Sequence, residues 1–175
     1  MLNTIFLIGY MGAGKSVIGK SLSKNNCFNF YDLDKYIEEK EGKKISEIFS
    51  DNNEIYFRKI ENNYLKEISQ IKENKIISTG GGTPCFQNNF EIIDGLPSSI
   101  SVYLKANVDT LAYRLEDSFE NRPLISHLQN PVELKEFITK HLFERSFYYE
   151  KSKVKIKTDD LDVNAVVKLI NQILT

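Results

Sequence analysis

"FLIGYMGAGKSVIGK", residues 6–20, carries an apolar run into a glycine cluster that ends in a lysine and a serine. Gly9-Tyr10-Met11-Gly12-Ala13-Gly14-Lys15-Ser16 satisfies G-x-x-x-x-G-K-[ST] at every position, between an apolar strand and a helical pattern. Its glycines permit backbone conformations that turn successive N–H groups inward, and the helix that follows adds its positive end. Lys15 then reaches the β- and γ-phosphates, and the Ser16 hydroxyl is a ligand for Mg²⁺. Gly12, Ala13, Gly14, Lys15, Ser16 and Val17 are therefore the candidate nucleotide-binding residues. The loop alone leaves open whether the γ-phosphate passes to water, to a protein or to a small molecule.

Outward from the loop, short apolar runs alternate with longer segments of helical period, the pattern of a buried parallel sheet with crossover helices. Strands are predicted at Thr4 to Gly9, Phe28 to Asp32, Lys75 to Thr79, Ser99 to Lys105 and Val154 to Lys157. Helices are predicted at Lys15 to Lys24, Leu33 to Glu41, Ile45 to Phe49, Glu54 to Ile71, Val108 to Glu116, Pro131 to Glu150 and Val163 to Leu174. Ile60, Tyr64, Leu65 and Ile68 form one core-facing stripe, and Val163, Val166, Val167, Ile170 and Leu174 another. The polar stretch from Asp117 to Asn130 breaks the period and has the length of a lid.

At 175 residues, 41% hydrophobic and 27% charged, the chain suits a single α/β domain over 1–175. A formal net charge of -1 offers no broad basic surface for nucleic acid, so a small ligand is expected. Cys27 and Cys85 lie far apart without metal-ligand spacing, and no signal peptide precedes the first apolar run, which reads as a reduced, cytoplasmic protein. Apolar runs fall short of the roughly 20 residues a membrane span needs. A monomer is the expected state.

On the acceptor side, "FNFYD" delivers Asp32 and then Asp34 to the carboxyl end of a strand, where open parallel sheets bind ligands. One carboxylate suits Mg²⁺ and the other a hydroxyl proton, while a helix N-cap is the plain structural alternative. Arg58 in "EIYFRKIE" has Glu54 at i-4 and Glu61 at i+3, which by itself reads as surface ion contacts worth a few tenths of a kcal/mol. Its functional alternative is a grip on a substrate carboxylate. Gly80, Gly81 and Gly82 in "IISTGGGTP" exceed what a turn requires and admit a ligand or another backbone at close range. No aspartate ends that strand, so Asp32 is expected to take the place of the usual second Mg²⁺ carboxylate. Arg122, before Pro123, could swing over a transferring phosphoryl group, and Arg145 could be a second anion clamp or a helix-end cation. His127 and His141 are read as non-ligands.

Taken together these residues resemble the shikimate kinase family over nearly the whole chain. "GYMGAGKS" is similar to its phosphate loop, "DLD" at 32–34 to its metal and substrate carboxylates, "EIYFRKIE" to its E-x-x-F-R-x-x-E helix, "STGGG" to its glycine run and "RPLI" to its lid. The resemblance implies a three-layer α/β/α P-loop fold of the nucleoside-monophosphate-kinase type, with a five-stranded parallel sheet, a substrate-binding region near 32–61 and a lid near 117–130. It implies transfer of the γ-phosphate of ATP to the 3-hydroxyl of shikimate, on the way to chorismate and the aromatic amino acids. By match to the motifs, Asp34 would bind and deprotonate the acceptor, and Arg58, Gly80, Gly81, Gly82 and Arg145 would hold shikimate. Ser16 and Asp32 would serve Mg²⁺, and Lys15 and Arg122 would neutralise the transferring phosphoryl. Arg114 stands eight residues before Arg122, where the family's adenine-stacking arginine stands seven before. Phe147 replaces a proline two residues after Arg145, while Tyr149 keeps the family's tyrosine. The rivals are a gluconate-kinase-like enzyme, against which the triple glycine and the "FR" helix speak, and a non-catalytic nucleotide or shikimate sensor, which would have lost Lys15, Asp34 or Arg122.

Overall fold

The computed structural model describes residues 3–116, 124–125, 128 and 130–174. Its order is β1 (Thr4–Ile8), α1 (Lys15–Asn26), β2 (Asn29–Asp32), α2 (Leu33–Glu41), α3 (Ile45–Asp51), α4 (Glu54–Gln70), β3 (Lys75–Ser78), α5 (Asn89–Gly95), β4 (Ser99–Lys105), α6 (Val108–Glu116), α7 (Pro131–Tyr149), β5 (Val154–Lys157) and α8 (Val163–Leu174). The five strands form one parallel sheet in the order β2-β3-β1-β4-β5. The run TIFLI is buried at every residue because β1 is the central strand, covered on both faces. At the edge, β5 exposes Lys155 and Lys157 and buries Ile156, as an edge strand guarded by lysines should.

Register decides what meets at the carboxyl ends of the strands. Ser78 pairs with both Leu7 of β1 and Asp32 of β2. Asp32 therefore lies one strand across from the position where a carboxylate ending β3 would stand, level with the start of the phosphate loop. The chain crosses from β1 to β2 on one side of the central strand and from β3 to β4 on the other, and such a switch in direction opens a ligand crevice.

Helix bounds fall within a few residues of expectation, and the core stripes of α4 and α8 bury Ile60, Leu65, Ile68, Val166, Val167 and Ile170. Two elements have no counterpart among the expected ones: a 3-10 turn at Thr83–Cys85 and α5. The seven residues of α5 show too little periodicity to announce a helix; it is held by buried Asn89, which donates to the Thr83 carbonyl (2.8 Å) and accepts from Asn62 (2.7 Å). At the other end of the chain, α7 continues through Phe147, where the family's proline is missing, and Phe147 is exposed. The segment 117–123, including Arg122, and His127 lie outside the described residues, as does most of the expected lid.

Gly19 gives a test of the layer packing. In most exposed helix interiors alanine is worth up to about 1 kcal/mol over glycine. Here a Cβ would lie 2.3 and 2.8 Å from ring carbons of Phe30 and 3.2 Å from Leu7 Cδ1. Gly19→Ala is therefore expected to destabilise the protein by about 1–3 kcal/mol in urea unfolding, since overpacking outweighs propensity.

Candidate active site

The phosphate loop has the backbone its sequence demands. Gly9, Gly12 and Gly14 adopt φ of 149°, 81° and 90°, and a Cβ on Gly9 would lie 2.7 Å from the Leu104 carbonyl oxygen. Lys15 is buried, and its Nζ donates to the carbonyls of Gly9 (2.8 Å) and Tyr10 (2.9 Å), which holds the ammonium against the loop. Ala13 is buried beneath it, and Val17 is exposed on the first turn of α1. One cleft takes in the loop, Asp32, Asp34, Gly81 and Arg114. Arg114 donates to the Thr158 carbonyl (2.8 Å) and reaches toward the Gly12 carbonyl (3.5 Å), beside the nucleotide loop.

Asp32 caps a helix and also meets the phosphate loop. Its Oδ1 accepts from the Lys35 N–H (3.4 Å) as the N-cap of α2, and its Oδ2 accepts from the Ser16 hydroxyl (2.6 Å). Two hard oxygens in contact at the mouth of a phosphate loop suit Mg²⁺, which keeps most of its shell for water and phosphate. Asp34, one residue into the helix, is only partly accessible. Burial first, then the charges of Asp32 and Glu61, push its carboxyl up to about 7, against the lesser pull of Lys15 and Arg58.

The glycine run is shaped around the site's own side chains. A Cβ on Gly80 would lie 2.9 Å from Asp34 Oδ1, one on Gly82 2.8 Å from Arg58 Nη2, and one on Gly81 3.7 Å from Arg145 Nη1. The close approach that the glycine run announces is made at Gly80 and Gly82 by the Asp34 carboxylate and the Arg58 guanidinium, and at Gly81 by the Met11 backbone N–H (3.4 Å) ahead of Arg145. Three bare residues let Asp34, Arg58 and Arg145 gather against one piece of backbone.

Arg58 and Arg145 differ in how they are held. Nε and Nη2 of Arg58 donate to Glu54 Oε1 (3.2 and 3.1 Å), Nη1 donates to Glu61 Oε2 (2.8 Å), and the guanidinium lies 3.8 Å above the Phe86 ring. The pair with Glu54 is the expected exposed one, but for Glu61 the surface reading is corrected, because Glu61 is 1% exposed and also accepts from the Thr83 hydroxyl (2.6 Å). Of five guanidinium N–H groups, two remain for other partners. Arg145 has no carboxylate within ion-pair distance among the described residues; its guanidinium faces the Tyr10 ring at 5.7 Å. Tyr149, four residues on, donates its hydroxyl to the Gly81 carbonyl and so fixes the end of α7 to the glycine run.

Four contributors escaped the sequence reading: Glu61 as a buried anchor, Thr83, the Tyr149 tether, and His141. The last, read only as a non-ligand, has its Nδ1 3.1 Å from the Tyr10 hydroxyl. Only the E-x-x-F-R-x-x-E spacing pointed toward Glu61; pairings across 68 or 131 residues leave no local trace.

A phosphate loop, two carboxylates and a glycine opening on one cleft at the carboxyl ends of a parallel sheet are what a phosphate-loop kinase requires, and the fold assigns the chain to that class. The family model described as shikimate kinase matches residues 11–175. The shikimate kinase of Flavobacterium johnsoniae is 46% identical over 99% of both chains, and that of Flavobacterium psychrophilum 43% over 99% of both. Among solved structures, shikimate kinase from Bacteroides thetaiotaomicron superposes with a TM-score of 0.91 at 35% identity, covering 98% of this chain and 97% of that one. The Acinetobacter baumannii enzyme, in complex with shikimate, gives 0.89 at 30% identity, over 99% and 93%. The chain belongs to the shikimate kinase family, and its reaction is the transfer of a phosphoryl group from ATP to shikimate in aromatic amino acid biosynthesis.

Proposed function

We propose that, in this transfer, Asp34 receives the proton of the shikimate 3-hydroxyl, Arg145 and Arg58 grip the shikimate carboxylate, and Lys15 and Arg122 neutralise the moving γ-phosphoryl. What carries the assignment is a single arrangement: one partly buried carboxylate with a raised pKa, and one arginine without an internal carboxylate partner, meet at the same glycine run beside the phosphate loop. Arg145 has most of its donor capacity for a ligand. Arg58, braced by Glu54 and Glu61, offers its two remaining N–H groups in a fixed direction. Gly80, Gly81 and Gly82 let shikimate lie against backbone between these groups. Gly12, Ala13, Gly14, Lys15, Ser16 and Val17 hold the ATP phosphates, and Arg114 lies over the adenine.

Mg²⁺ would be held by Ser16 and Asp32, the latter through water, and when bound supplies neutralising charge to the β- and γ-phosphates. Phosphoryl transfer passes through a loose transition state, so Asp34 acts chiefly by orienting the hydroxyl and takes its proton late. We read the protein as a cytoplasmic monomer acting on small molecules without nucleic acid or membrane. Near-neutral charge and two free cysteines support that reading, as does the lack, among the described residues, of a helix long and apolar enough to cross a membrane.

Coupled ADP release tests the reading across shikimate, gluconate and nucleoside monophosphates. Turnover is expected with shikimate alone, lost on chelation with EDTA and restored by added Mg²⁺. Brisk gluconate turnover with none on shikimate would sink it.

A further inference from the structure

The side chain of Tyr10 is unusually placed for a variable position of a phosphate loop. It is buried at 2% exposure, while its backbone carbonyl accepts from Lys15 Nζ (2.9 Å). Its ring lies 5.7 Å from the Arg145 guanidinium carbon, within the range of a cation–π contact. Its hydroxyl meets His141 Nδ1 at 3.1 Å, and His141 is backed by the Phe137 ring at 4.1 Å. Burial pushes the Tyr10 hydroxyl up to about 12 and pulls His141 down, so a protonated phenol is hydrogen-bonded to a neutral imidazole, either of which can donate according to the imidazole tautomer. His141 and Arg145 lie one turn apart on α7, and Tyr149 of the same helix donates to the Gly81 carbonyl. The nucleotide loop and the acceptor backbone are thus both fastened to the helix that carries Arg145.

We propose that Tyr10 is a positioning residue for the acceptor: its ring backs the Arg145 guanidinium and its hydroxyl, through His141, holds α7 in register, so a residue of the nucleotide loop sets the carboxylate clamp. This rests on the reading that Arg145 grips the shikimate carboxylate. The physical reason is that Arg145 has no carboxylate partner among the described residues to fix its direction, so apart from the Tyr149 hydroxyl the Tyr10 ring is the group that backs it. A ring face attracts the cation without consuming N–H donors, which leaves the fork available to a carboxylate. Carboxylates in that place would take up N–H groups, as Glu54 and Glu61 take up three of the five on Arg58.

Steady-state kinetics of Tyr10→Leu, Tyr10→Phe, Arg145→Ala and the Tyr10→Leu/Arg145→Ala double variant test this. Tyr10→Leu is expected to raise the KM for shikimate about tenfold while leaving that for ATP within about twofold. Tyr10→Phe, which keeps the ring and loses only the bond to His141, should return the shikimate KM to within about threefold of wild type. In the Arg145→Ala background, Tyr10→Leu should add less than about twofold, because its effect is routed through the arginine. A purely structural role for Tyr10 predicts equal losses for both substrates or additive effects, and either overturns the proposal. If Arg145→Ala leaves the shikimate KM unchanged, the clamp reading fails, and this proposal with it. Were Tyr10→Leu not to fold, His141→Leu replaces it: a shikimate-selective KM rise of about threefold supports the proposal, and an unselective or absent rise overturns it.

Discussion

Asp34→Asn is expected to lower shikimate turnover by about 100-fold and, at pH 8, to raise the thermal midpoint of the protein. The two effects have one origin. Asp34 sits in a partly buried site beside Asp32 and Glu61, and these surroundings lift its carboxyl from an ordinary 3.8 to about 7. Below both values the group is protonated in folded and unfolded chains and costs nothing. As pH climbs from 3.8 toward 7, the unfolded chain loses the proton first, so folded stability declines and the loss is complete above about 7. Asparagine carries no such charge. The midpoint of the variant should therefore match wild type near pH 4 and exceed it progressively toward pH 8. Differential scanning across that range checks the sign, and a difference that does not change with pH counts against an unfavourable Asp34 charge. The same titration should appear in the wild-type enzyme as a fall in kcat/KM for shikimate below about pH 7, with a slope of one.

Gly82→Ala carries the second large effect. Its φ of -92° suits alanine, so the backbone is not strained. The new Cβ, however, would stand 2.8 and 3.0 Å from Nη2 and Nη1 of Arg58, whose guanidinium cannot retreat freely from its bonds to Glu54 and Glu61 or from the Phe86 ring. Displacing one charge-assisted contact of about 1.5 kcal/mol corresponds to a rise of about tenfold in the KM for shikimate, with the KM for ATP within about twofold. Arg58→Ala gives the same kinetic split with a different stability. It leaves Glu61, 1% exposed, with Thr83 but no cation, and should cost about 3 kcal/mol on unfolding. Equal losses for ATP and shikimate in both variants would remove Arg58 from the acceptor site.

The distance between sequence and structure is clearest at the glycine run. Three consecutive glycines announce a close approach, but not by what: the approaching atoms belong to Asp34 at Gly80, Arg58 at Gly82, and the Met11 backbone followed by Arg145 at Gly81, all far off in sequence. Likewise Glu54 and Glu61 at i-4 and i+3 of Arg58 are legible as ion partners, whereas the burial that turns Glu61 into an anchor depends on Thr83 closing over it. Helix α5 escaped because a seven-residue helix is set by the buried Asn62–Asn89 contact more than by its own periodicity.

What the sequence by itself determined is the local chemistry. A strand, a glycine loop, a lysine, a serine and a helix in direct succession need no distant partner to bind phosphate, and five ordered motifs carry the family. Tertiary structure alone decided the strand order β2-β3-β1-β4-β5, the register that sets Asp32 level with Ser78, and the attachment of α7 to both Tyr10 and Gly81. Local chemistry is written in spacing because neighbours along a helix or a tight loop are neighbours in space. Contacts across tens of residues depend on how the helices bury their apolar faces on the sheet, and that arrangement turns a phosphate loop into half of a two-substrate site.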